Sequence, residues 1–252
     1  MKKQFIKMTL KRLKKIIGIR QTSKMNKSEE LVKIFLRLNG YFIVDNFIIH
    51  NGHADLSNSK NKIIPQSTEI DLLGIRMPYQ NEKTGKLYIA NYKHLILSDN
   101  LIDLVIVESK TGKENRPNPT WRNNDCIDNI KYIIRFFGIT DKEDVIEEIS
   151  KNLIERYQYK WNNDYYFRYI IVAENKNEYY LKKGVTYFTI EEILDFIVQT
   201  RGECWLNANM GVASHHQQWN IFMNKIFEIA NDNDKYSTFN LKKKMIREYI
   251  EE

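Results

Sequence analysis

Between Asn26 and Asn39 the apolar residues Leu31, Val32, Ile34, Phe35, Leu36 and Leu38 follow a helical spacing. Asn26 or Ser28 can cap that helix and Gly40 ends it. Tyr41 to His50 is rich in β-branched and aromatic residues and predicts a strand, followed by a polar, turn-rich loop from Asn51 to Gln66. Ser67 to Met77 predicts a second strand, with Glu69, Asp71, Leu73 and Ile75 on one face and Ile70, Leu72 and Gly74 on the other. Residues 78–100 predict a hairpin or excursion around the turn Asn81-Glu82-Lys83-Thr84-Gly85. The clearest strand is Leu101 to Lys110, after which Thr111 to Asn124 forms a polar loop with Pro117 and Pro119. Helices are expected at about Asp125–Phe137 and Lys142–Tyr157, strands at Phe167–Ala173 and Val185–Thr189, and a helix at Ile190–Thr200. Further helical segments are expected around Gln217–Ile229 and Leu241–Ile250. The order predicts a mixed α/β fold.

The chain has 252 residues, 42% hydrophobic and 28% charged, which suits one globular domain with additions rather than a disordered chain. We divide it into a basic arm (1–25), a main domain (26–200) and a helical C-terminal extension (201–252). Cys126 and Cys204 cannot supply a disulfide framework, and no Cys/His spacing suits zinc. A reducing compartment, the cytoplasm, is therefore the expected setting. No segment is long and apolar enough to span a bilayer, and lysines interrupt the start too often for a secretory signal.

Charge is unevenly placed. Residues 1–28 hold ten Lys or Arg and no acid, so the other 224 residues carry 29 basic against 32 acidic side chains. Such an arm suits nucleic acid, or a solvated helix docked on the body through Phe5, Leu10, Leu13 and Ile17; anionic lipid is a third use.

Hydrolysis of a phosphodiester needs a water made nucleophilic near neutral pH and a Lewis acid on the phosphoryl oxygens. Carboxylates around Mg²⁺ meet that need, because magnesium takes hard oxygen ligands and keeps several waters. Glu108 and Lys110 lie two apart in a strand and so share a face, with the Ser109 carbonyl between them. A lysine there adds a compact charge that orients water and phosphate. If the strand bearing Asp71 pairs with this one, its carboxylate reaches the same ion. The pattern E-x-K recurs at Glu174, Asn175 and Lys176, where it reads as an ordinary strand end.

Thr68-Glu69-Ile70-Asp71-Leu72-Leu73, followed by Val105-Ile106-Val107-Glu108-Ser109-Lys110, resembles the D…E-x-K signature of the restriction-endonuclease-like, or PD-(D/E)XK, nuclease superfamily. The style is that of Holliday-junction resolvases and Mrr-like restriction enzymes. The resemblance covers roughly residues 26–137 and extends to a helical glutamate about eleven residues before a glycine, the spacing of Glu29 to Gly40. It implies a restriction-endonuclease-like core with Asp71, Glu108 and the Ser109 carbonyl on Mg²⁺, Mn²⁺ substituting. Lys110 would assist the water, and Glu29 would act through a water or the metal. The alternative helical acid is Glu30, and Glu69 is a possible extra ligand. The long gap from Asp71 to Glu108 implies an insertion at 78–100.

The implied activity is a DNA endonuclease in restriction, phage defence or recombination, as a homodimer or in a larger defence complex. The alternative is a nucleic-acid-binding subunit on the same fold that does no chemistry. Lys113, Arg116 and Arg122, with Trp121 among them, lie in the loop beyond the site, where phosphate contacts and a stacking platform would serve DNA or an ordinary charged loop would stand. His50, His53, His94, His215 and His216 show no spacing for another hydrolytic site. Trp205, Trp219, Phe222 and Phe227 read as core or a dimer seam.

Overall fold

A computed structural model describes residues 26–51, 66–79, 82–84, 87–89, 91–97, 100–121, 126–202 and 221–251. The expected loop after His50, the basic arm, Arg122, and His53, His215, His216, Trp205 and Trp219 lie outside these residues.

Helix α1 (Lys27–Leu38) starts where the Asn26 side chain accepts the Ser28 N–H at 3.1 Å. The strands follow as β1 (Phe42–Asn51), β2 (Gln66–Arg76), β3 (Glu82–Thr84), β4 (Leu87–Ile89) and β5 (Ile102–Ser109). Next come α2 (Ile127–Phe137), α3 (Glu143–Arg156), β6 (Gln158–Trp161), β7 (Tyr165–Ala173), α4 (Glu178–Lys182) and β8 (Thr186–Thr189). Helix α5 (Ile190–Asp195) continues as a π-helical segment, Phe196–Arg201, and α6 (Ile221–Asn231) and α7 (Phe239–Glu251) close the described chain. The short β6 and α4 carry no periodic signal and were not expected.

Six strands form one mixed sheet in the order β1-β2-β5-β7-β6, with β8 also on β7. β1, β2 and β5 are antiparallel neighbours, whereas β7 runs parallel to β5. The excursion holds the β3–β4 hairpin and does not separate β2 from β5, which pair directly from Leu72 opposite Val107 to Arg76 opposite Asp103. Gly74 permits this close packing: a Cβ there would lie 2.8 Å from Val105 Cγ2 and 3.0 Å from Ile43 Cδ1.

Each face of the sheet is covered, the arrangement that lets a parallel strand pair stay dry. On one face α1 packs with Val105, Val107, Ile170 and Val172 and with α5, α6 and α7. The helices beyond residue 200 share this core, and Phe222 is buried in it. On the other face α2 and α3 cover Leu73, Ile106, Phe167 and Ile171. α2 ends at Gly138, whose φ of 68° gives the left-handed cap that a glycine adopts without strain.

Strict alternation fails in one place. Ile70 belongs to the α2/α3 side while Leu72 belongs to the α1 side, so the two do not share a face as expected. β1 changes sides at the same level, since Ile43 packs toward α1 and Phe47 toward α2. Asn46 lies between the paired positions Asp45–Leu72 and Phe47–Ile70, opposite Asp71, and its φ is 51°. That left-handed conformation is uncommon except for residues such as Asn, and it lets both strands switch face across one residue.

Candidate active site

The face switch puts Asp71 at the level where backbone pairing of β2 with β5 ends. The Asp71 carboxylate takes over there, accepting the Ser109 N–H at 2.7 Å. On its other side β5 stays tied to β7, since the Lys110 N–H donates to the Val172 carbonyl at 2.8 Å. α1 docks on the same strand end, with Ser28 Oγ 3.2 Å from Ser109 Oγ. This brings the first turn of α1, and so Glu29, toward Asp71.

Glu108 is 3% exposed and is held from three directions. Its carboxylate pairs with Lys110, accepts the Tyr169 hydroxyl from β7, and accepts the Asn118 N–H at 3.1 Å on each oxygen. Burial first, and then the Glu108 charge, push the Tyr169 hydroxyl far above its usual range, so it remains a donor. Asn118 is fixed in turn because its side chain accepts from Thr120 N–H and Oγ1. The Tyr187 hydroxyl, on β8, anchors the same loop at the Asn115 carbonyl, 2.7 Å away.

Glu29, Glu108 and Lys110 all act electrostatically on Asp71. Burial pushes the Asp71 carboxyl up to about 6; the Ser109 N–H opposes this, Glu29 and Glu108 add to it, and Lys110 opposes it. Burial also raises Glu29, countered by the Asn26 amide, which donates to it at 2.7 Å, and reinforced by Glu69. Glu69 itself is exposed. The site thus gathers more negative charge than its one lysine offsets.

Asp71 is consequently expected to cost stability at neutral pH. Its folded pKa lies above its ordinary value of 3.8, so the penalty is absent below about pH 4, grows toward pH 6 and is complete above it. Asp71→Asn should raise the unfolding free energy at pH 7 in EDTA by about 1–3 kcal/mol, discounted for partial exposure. Urea unfolding at pH 5 and pH 7 checks this: the gain should shrink at the lower pH, and no gain at pH 7 would count against the account.

The two helical acids part company. Glu30 is 4% exposed and lies 3.6 Å from Lys33 Nζ, which also pairs with Asp45 on β1. If the site hydrolyses phosphodiesters, as the sequence resemblance implies, Glu29→Gln would slow cleavage about 10- to 100-fold with little loss of stability, and Glu30→Gln would do the reverse. Rates and melting temperatures of the two variants would show it; loss of cleavage only in the Glu30 variant would reverse the assignment.

The second E-x-K copy is occupied elsewhere. Glu174 is exposed and accepts Arg247 Nη1 from α7 at 3.2 Å on both oxygens, while Lys176 pairs with Glu192 at 2.7 Å. Trp121 is 1% exposed within the α2/α3 core, so the expected stacking platform is not there. Lys113 and Arg116 are exposed on the loop.

Tyr169 and the Asn118 N–H escaped the sequence reading. A tyrosine inside an apolar strand reads as core, and a backbone donor has no residue signature. The usable signal for Tyr169 was parity, once β7 is aligned parallel to β5 with Tyr169 opposite Ile106.

Among the described residues no group of three or more His, Cys, Asp or Glu side chains could by itself hold a metal ion. The residues that could hold one are fewer and all oxygen donors: Asp71, Glu108 and the Ser109 carbonyl, with the Lys110 ammonium standing on Glu108. Such a set suits magnesium, which keeps several waters. Compared with known proteins, the chain matches no family model, no curated protein and no solved structure.

Proposed function

We propose that the protein is a Mg²⁺-dependent DNA endonuclease with a restriction-endonuclease-like core, Mn²⁺ being able to substitute. The observation that carries this reading is the hydrogen bond from Ser109 N–H to Asp71 beside the Glu108–Lys110 pair. It joins the two halves of the sequence pattern at one strand end. A magnesium ion there would supply the Lewis acid for the phosphoryl oxygens and a more acidic bound water.

The chain's own groups do the rest. Asp71 and Glu108 offer carboxylate oxygens and Ser109 its carbonyl, all hard donors. Lys110, with 17% of its side chain exposed, can turn from Glu108 toward an anionic phosphate and orient the attacking water. Glu29, whose carboxyl pKa is raised by burial and whose oxygen accepts the Asn26 amide at 2.7 Å, would hold that water and accept its proton. Lys113 and Arg116, exposed on the anchored loop, would meet backbone phosphates beside the cut.

Purified protein incubated with plasmid, linear, single-stranded and junction DNA tests the proposal. Cleavage of at least one substrate with Mg²⁺ or Mn²⁺, and none with EDTA, is expected. Binding of DNA with no cleavage of any of them would favour a non-catalytic subunit.

A further inference from the structure

Glu108 can accept about four hydrogen bonds, two on each oxygen. Oε1 receives the Tyr169 hydroxyl and one branch of the Asn118 N–H; Oε2 receives the other branch and Lys110 Nζ. Both oxygens are therefore filled, and a divalent cation reaches this carboxylate only by displacing a donor. The three donors differ in how freely they can leave.

Tyr169 sits within β7, which is hydrogen-bonded to β5 from Ile102–Tyr165 to Ser109–Val172, and it is 2% exposed. Its ring cannot withdraw without disturbing the core between the sheet and α3. The Asn118 N–H belongs to a backbone that Thr120 and the Pro119–Trp121 turn hold in place. Lys110 alone follows the strand end, carries a flexible stem and has solvent access, with 17% of its side chain exposed against 5% for Glu108. It is also the only donor whose charge a metal ion would replace.

Resting on the nuclease reading above, we infer that Tyr169 is a positioning residue that reserves Oε1 of Glu108, so that a divalent cation takes Oε2 in exchange for the Lys110 ammonium. The exchange keeps a cation on the carboxylate throughout. It frees Lys110 for the phosphate at the moment the metal site is filled. Tyr169 acts through Glu108 and touches neither substrate nor metal.

The test is Mn²⁺ binding to the folded protein without DNA, followed by electron paramagnetic resonance of the free ion. Tyr169→Phe keeps the ring and removes only the donor, so its Kd for Mn²⁺ should rise about 10-fold or more, within the range for outer partners of metal ligands. Lys110→Met should lower the Kd, because a competing cation is gone. In cleavage assays Tyr169→Phe should raise the Mg²⁺ concentration for half-maximal rate and spare the rate at saturating Mg²⁺, a split that mere destabilisation would not give. An unchanged Kd in a folded Tyr169→Phe protein overturns the inference and leaves the nuclease reading standing. If that variant does not fold, Lys110→Met decides: a lowered Kd supports the exchange and an unchanged or raised Kd overturns it. Wild-type protein with no Mn²⁺ binding that Glu108→Gln removes would overturn both.

Discussion

Arg168→Leu should lower the unfolding free energy by about 3–5 kcal/mol, because it strands a buried carboxylate without its partner. Asp103 is 0% exposed on β5, and Arg168, 4% exposed on β7, donates Nε to its Oδ1 at 3.1 Å. The Tyr41 hydroxyl donates to the other oxygen, and Arg168 Nη2 reaches Tyr41 Oη at 3.0 Å and the Leu95 carbonyl at 3.1 Å. Asp103, Arg168 and Tyr41 are all buried, so the lost donor has no ready replacement. Urea unfolding reads the loss directly. The double variant Asp103→Leu/Arg168→Leu should recover most of it, because a buried pair exchanged for apolar residues is often close to neutral. A loss below about 1 kcal/mol for the single variant would mean that Asp103 is not the buried anion described.

Lys110→Met should leave the fold in place, tighten Mn²⁺ binding and slow DNA cleavage about 100- to 1000-fold, the range for removing one preorganised electrostatic group. The ammonium stands on Glu108 and is the basic group whose charge lowers the Asp71 carboxyl. Met retains the length of the stem and its packing but has no charge to offer a phosphate. Single-turnover cleavage at saturating Mg²⁺ isolates the effect from metal affinity. A rate within about threefold of wild type would remove Lys110 from the chemistry.

These two variants probe opposite ends of the same strand. Asp103 and Glu108 are five positions apart on β5, roughly 16 Å at the usual rise per residue. At the Asp103 end the charge is answered by a guanidinium that lies wholly inside. At the other end Asp71 is left with a raised pKa and Glu29 and Glu108 as neighbours, an arrangement that stability alone does not favour.

Helix α1, strands β1, β2 and β5 and the two helices α2 and α3 were legible because each buries a face whose period survives in the residue pattern. The acids at Asp71 and Glu108 stood out because charges at the end of an apolar strand break that pattern. The change of face at Asp71 was not legible, since it depends on the backbone of Asn46 in a different strand, and a single positive φ leaves no mark on alternation. Asp103 was overlooked because a lone acid in a strand reads as an edge position until Arg168 is placed beside it by the parallel register. Trp121 misled for the opposite reason: a polar loop around it suggested exposure, yet the turn at Pro119–Trp121 folds its ring into the core. β6, the four residues Gln158–Trp161, alternates too briefly to separate from a loop.

The most direct test of the central claim is Mg²⁺-dependent cleavage of supercoiled plasmid by wild type, Glu108→Gln and Glu174→Gln, each shown to be folded. The account predicts that wild type cuts in Mg²⁺ and not in EDTA. Glu108→Gln should fall by more than about 100-fold, beyond the upper range for outer partners of a ligand. Glu174→Gln should stay within about twofold, as expected for an exposed ion pair with Arg247. Full activity in the Glu108 variant, or loss confined to the Glu174 variant, would contradict it.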